Sequence, residues 1–155
     1  MKILSPTSHQ FLHGISSVLS APQPLITLLG RLYVAWVFWA SGLTKINDFE
    51  STLFLFEYEY QVPLLPFTLA AYLATFAEIV FPIMLSVGFA SRISALTLSV
   101  VNVVAVISLE EIAPAAFNQH LLWGVILLHV VVWGADRFSL DHWLKLGVSA
   151  STQSL

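Results

Sequence analysis

The chain has 155 residues, of which 57% are hydrophobic and only 10% charged, with a formal net charge of −3. Soluble domains carry about 25% charged residues, and a soluble fold this apolar would leave large hydrophobic patches in water, so the composition calls for a bilayer. There are no cysteines, which excludes a disulfide framework, a thiolate metal site and a thiol relay within the chain, and no basic tract suits nucleic acid.

Phe11, Leu12, Ile15, Val18 and Leu19 recur at helical spacing without a continuous apolar core. Residues 1–24 therefore read as an amphipathic interfacial segment rather than a cleaved signal, ended by Pro22 and Pro24. Four apolar stretches follow, at about 25–43, 67–87, 93–109 and 121–135. A span needs about 20 residues and about 17 at least; Phe117 and Phe138 can extend the short last one. None alternates as a barrel strand would, and backbone in lipid must satisfy its own hydrogen bonds. The expected fold is all-α and integral to the membrane, a four transmembrane helix up-and-down bundle over 25–147. Ser139 reads as the N-cap of a short C-terminal interfacial helix with Leu140, Trp143 and Leu144 on its apolar face. Residues 148–155 read as a disordered tail, and the five tryptophans as interfacial anchors and packing residues.

With four spans, Lys2, Arg31, Arg92, Arg137 and Lys145 share one side, whereas the other holds Lys45 with Asp48, Glu50, Glu57, Glu59, Glu110 and Glu111. The positive-inside rule then places both termini in the cytoplasm.

Ionisable groups inside a bilayer are costly and face the bundle interior. Counting 1.5 Å per residue from the cytoplasmic helix ends puts Arg31 at ~9 Å, Glu78 and Asn102 at ~13 Å and His129 at ~10 Å, one polar group per helix in a thin layer. Arg31, Ala35, Phe38, Gly42 and Lys45 form one seam, Ala71, Thr75, Glu78 and Pro82 a second, and Ala95, Ser99 and Asn102 a third. Arg31 and Glu78 are the expected buried ion pair. The layer reads either as register-fixing architecture or as a site for a quinone head group, a proton or another ligand. Lys45 past the first span, and Asp136 and Arg137 at the end of the fourth, are secondary candidates. Glu57, Glu59 and His120 have oxygen and imidazole ligands for a cation such as copper or zinc, although their spacing matches no defined site. The aromatic run 54–60 reads as a re-entrant or interfacial segment, or a docking surface. No nucleotide loop or serine-based catalytic constellation is present in the sequence.

Three blocks carry a family resemblance. GRLYVAWVFWASGLTKINDF holds Arg31, Gly42 and Lys45; LATFAEIVFPIMLSVGFASRISAL holds Glu78, Gly88 and Ser91-Arg92; GADRFSLD closes the membrane region, with Ala135-Asp136 where a small residue and a glycine are usual. In this order and spacing they resemble the DoxX family of bacterial membrane proteins. The resemblance implies a four-helix bundle in the bacterial inner membrane, and an accessory subunit of a quinone-linked oxidoreductase system with a protein partner or homo-oligomer. Quinone is the ligand so implied, with no covalent cofactor; whether the chain is itself an enzyme stays open. The stretch STLFLFEYEYQVPLLP is similar to the outer loop of a DoxX branch tied to metal and oxidative stress. That implies the alternative, a non-enzymatic component that anchors, receives or exports a small partner. A transporter or channel ranks last, because four short helices leave little room for a pore.

Overall fold

The computed structural model describes Val18 and residues 20–144; the amphipathic segment expected over 1–24 and the tail over 148–155 lie largely or wholly outside these. The helices are α1 (Gln23–Asn47), α2 (Phe49–Tyr58), α3 (Phe67–Val87), α4 (Ser91–Ile107), α5 (Pro114–Trp133) and α6 (Leu140–Trp143), and among the described residues there is no strand. Three of them, α1, α3 and α5, are long and apolar enough to cross a membrane, and α4 is a shorter apolar helix of 17 residues. The chain is a multi-pass membrane protein.

The four long helices close a ring: α1 packs on α3, α3 on α4, α4 on α5, and α5 back on α1. Neighbours run antiparallel, as the paired contacts Thr27 with His129 and Tyr33 with Trp123 show for α1 and α5. Helices in lipid gain nothing from hiding apolar surface from one another, so small residues that permit close approach dominate their seams. Ala35, Ala71, Ala77, Ser94 and Ala95 are all buried. The seams expected on α1 and α3 face inward along their length, from Arg31 to Gly42 and from Ala71 to Pro82. On α4 the buried line runs through Ser91, Ala95, Leu98 and Asn102, with Ser99 half-buried.

The closest approach joins α1 to α3. A Cβ on Gly42 would lie 2.9 Å from the Ile79 side chain and 3.0 Å from the main-chain oxygen of Glu78. That carbonyl is the one Pro82, lacking an N–H, cannot bond four residues on. Pro82 and Gly42 thus act together to seat the backbone of Glu78 against α1.

At one end of the bundle α2 lies between α1 and α3. Asp48 caps it, its carboxylate accepting from the main-chain N–H and hydroxyl of Ser51 at 3.0 and 2.6 Å. Residues 54–58 of the segment read from sequence as re-entrant or interfacial lie in this ten-residue helix. Its Phe56 packs on Ala70 and Ala71, while Phe54 and Tyr58 stay exposed with their rings in tilted contact. The turn that follows reaches Leu64, fully exposed with φ at 67°. α5 begins at Pro114, earlier than the apolar stretch alone indicated, so His120 sits inside a helix and not in a loop.

Candidate functional site

The polar residues expected in one layer form two groups at different ends of the bundle. Glu78 pairs with Lys45 and not with Arg31: Lys45 Nζ lies 2.6 Å from Glu78 Oε2, the side chains 18% and 8% exposed. Lys45 Nζ also donates to Ser41 Oγ at 2.9 Å. This is the one ion pair among the described residues. Asn102 meets His120 twice: its Nδ2 donates to the His120 main-chain oxygen at 2.9 Å, and its Oδ1 lies 2.8 Å from His120 Nδ1. Lys45, Glu78, Asn102 and His120 all belong to the α2 half.

Arg31 and His129 belong to the α6 half. The Arg31 guanidinium is 1% exposed and donates from Nη2 to the main-chain oxygen of Phe138 at 2.7 Å, with Ser86 O at 3.5 Å. Asp136 and Asp141 lie close enough to act on its charge, which offsets some of the cost of burying a cation. The Asp141 carboxylate caps α4 from across the molecule, accepting from the N–H groups of Ala90 and Ser91 at 2.8 Å each. Its own N–H donates to Gly88 O, and Ser139 caps α6 by accepting from His142 N. Gly88 has φ at 72°, and a Cβ there would fall 2.4 Å from Ser139 Cβ and 2.9 Å from Arg31 Nη1. Arg31, the Gly88 turn and the 138–141 segment are thus one knot tying α1, α3 and α4 to the C-terminal turn. Asp136 joins it through its main-chain oxygen, which accepts from Ser139 Oγ; Arg137 is exposed.

His129 accepts or donates to Thr27 at 3.2 Å, stacks on Trp133 and borders a wide apolar groove between α1 and α5. It stands nine residues from His120, roughly half a turn round the helix, and so faces away from the α2-half group. Glu57 and Glu59 are exposed on the α2 side. They are not brought together with His120: among the described residues no three His, Asp or Glu side chains stand close enough to hold a metal.

A cavity of about 280 Å³ adjoins the Lys45–Glu78 pair. Phe38, Glu78, Val101 and Trp123 wall it, Phe56, Tyr60 and Val62 line the α2 side, and Ser41, Ser108 and His120 add polar groups. Its surface is mostly apolar with a few convergent polar atoms, the make-up of a small-molecule site. Ser108 Oγ is buried and has no hydrogen-bond partner, although its carbonyl holds Gln61 N at 2.8 Å. Burial, with the Glu59 and Glu78 carboxylates adding to it, pushes the Tyr60 hydroxyl up from its ordinary value, so Tyr60 is a neutral hydroxyl at neutral pH. Ser41 and Ser108 are not marked by the sequence, because serines in an apolar helix are usually satisfied by their own backbone, and Tyr60 reads there only as the end of the aromatic run 54–60. Only their convergence on one cavity marks them.

The sequence model of one family, DoxX, matches residues 26–111. That stretch includes the Lys45–Glu78 pair, Asn102 and every cavity residue except His120 and Trp123, and stops short of the 138–141 turn. An uncharacterized protein of Haemophilus influenzae is 30% identical over 126 residues, covering 76% of this chain and 82% of that one. No solved structure matches. A match over more than half of the chain, on the helices that carry the paired charges and most of the cavity, makes the chain a member of the DoxX family.

Proposed function

We propose that this protein is an accessory subunit of a quinone-linked membrane redox system, with the cavity beside Lys45 and Glu78 as the seat of the quinone head group. The cavity itself carries the proposal: about 280 Å³ of mostly apolar space, ring-sized, with carboxylate, imidazole and hydroxyl groups converging on it. Phe38 and Trp123 would flank the ring, and the hydroxyls of Ser108 and Tyr60 would meet its oxygens. A quinone supplies electron and proton carriage when bound; the chain's own residues orient it and keep bulk water away. The partner that exchanges electrons with it would dock at the α2 end.

The test is native mass spectrometry of protein purified gently from its own membrane, with solvent extraction of bound lipids alongside. Quinone should be retained by the wild type and lost in Ala105→Phe, which fills the cavity. Wild-type protein that retains none overturns the proposal.

A second reading, a non-enzymatic stress or metal-handling component, draws on the exposed Phe54–Tyr58 pair on α2 beside the exposed Glu50, Glu57 and Glu59. Aromatics framed by acids suit docking of a cationic peptide. A deletion strain with unchanged metal tolerance would count against it.

For topology, we propose four spans in the bacterial inner membrane with both termini cytoplasmic. The place of α4 between α3 and α5 in the ring supports reading this helix of 17 residues as the remaining span. Lys45, the one Lys or Arg at the α2 end among the described residues, is held by Glu78, which leaves that end acidic and supports the charge asymmetry.

A further inference from the structure

The cavity also sorts possible occupants by hydrogen-bonding sense. Asn102 Nδ2 donates to the main-chain oxygen of His120, which turns the amide so that Oδ1 faces the ring at 2.8 Å. A carboxamide oxygen only accepts, so Nδ1 of the neutral imidazole carries the hydrogen. The nitrogen left for an occupant, Nε2, is then an acceptor with no partner among the described residues. Glu78 has the same sense. One carboxylate oxygen takes Lys45, and the other accepts from no group among the described residues. The hydroxyls of Ser41, Tyr60 and Ser108 can donate or accept and do not discriminate.

From this we infer that the cavity selects a hydroxyl-bearing ring, a hydroquinone or phenol, over its carbonyl-only oxidised counterpart. The inference rests on the cavity being a ligand site, as proposed above, and adds the redox form that it prefers. A hydroquinone hydroxyl can donate to His120 Nε2 or to the free oxygen of Glu78. A quinone carbonyl would set lone pair against lone pair there. Asn102 is a positioning residue: it touches no ligand and acts by fixing the imidazole tautomer.

The experiment measures binding of durohydroquinone, kept reduced with dithionite, and of duroquinone to the full chain in nanodiscs. The cysteine-free sequence has no disulfide for the reductant to break and no thiol for the quinone to modify. The hydroquinone should bind roughly tenfold tighter, the effect of one neutral hydrogen bond met rather than unmet. Asn102→Leu, which releases the tautomer, should shrink that ratio toward unity while binding persists. Nitrogen NMR of the wild type should show His120 protonated at Nδ1 and bare at Nε2, a readout independent of any variant's folding. Equal or tighter duroquinone binding, or a proton on Nε2, overturns the inference and leaves the cavity reading standing. If neither compound binds, the cavity reading falls and takes the inference with it.

Discussion

Removing Lys45 and Glu78 singly and together separates what the pair does for stability from what it does for a ligand. Glu78 has a side chain only 8% exposed near the middle of α3, so Lys45→Met strands a buried carboxylate, which costs about 3–5 kcal/mol. Lys45 lies in the last turn of α1 and is 18% exposed; in Glu78→Met its ammonium can swing toward the end of the bundle, for a cost of about 1–2 kcal/mol. The double variant Lys45→Met/Glu78→Met replaces a pair by apolar groups of similar volume, which is nearly neutral, within about 1 kcal/mol of wild type. The coupling in this cycle is therefore at least about 3 kcal/mol. It is read by SDS-titration unfolding in mixed micelles, following tryptophan fluorescence. Single effects that simply add, with coupling below about 1 kcal/mol, would refute the reasoning. Ligand retention in the double variant then decides the role of the pair: a stable bundle that no longer keeps its ligand assigns the pair to the site, and one that keeps it assigns the pair to architecture.

Gly88→Ala should cost about 3 kcal/mol or more, because a left-handed alanine is strained by about 1–2 kcal/mol and its Cβ must push Ser139 away from the Arg31 knot. Gly30→Ala, whose Cβ meets only Ile126 at 3.4 Å, should be neutral or slightly stabilising; equal losses in the two would contradict the steric account. Hydrogen bonds from the hydroxyl and N–H of Ser51 hold the Asp48 carboxyl below its ordinary range. A lowered folded-state value means that the cap's contribution is present above the ordinary carboxylate value of about 3.9 and is lost as the pH falls through the lower folded-state value. Protection factors of the amides at the start of α2, taken relative to the intrinsic exchange rate at each pH, should therefore fall in acid, and an Asp48→Ala variant should show no such pH step. Cysteines placed singly at Leu64 and Glu111 should be labelled from one side of the membrane, and those at Phe89 and Arg137 from the other. Labelling of Glu111 from the same side as Phe89 would remove α4 as a span.

Much of the bundle was legible because lipid imposes simple rules. Long apolar runs, the seams of small residues on α1 and α3, and the Gly88 turn all follow from composition and helical period. The charge pairing did not follow. Depth was counted at Cα positions, but a lysine at a helix end carries its charge several ångströms back into the bundle, so Lys45 reached Glu78 before Arg31 could. Arg31 found a carbonyl, Phe138 O, that no side-chain pattern announces. His120 is hard to place from sequence for a related reason. The polar run Asn118-Gln119-His120 looks like a loop by hydropathy, yet Pro114 at the first helical position starts α5 ahead of it. Nine residues then separate His120 from His129, so His129 borders the groove between α1 and α5 and His120 lines the cavity.

Photolabelling with an azidoquinone in native membranes, followed by peptide mapping, tests the ligand site most directly. The account predicts label on the cavity walls, in the peptides around Ser41, Tyr60, Ser108 and Trp123, and loss of that label in Ala105→Phe. Label confined to the Arg31–Phe138 knot or to the groove at His129, unchanged in that variant, would contradict it.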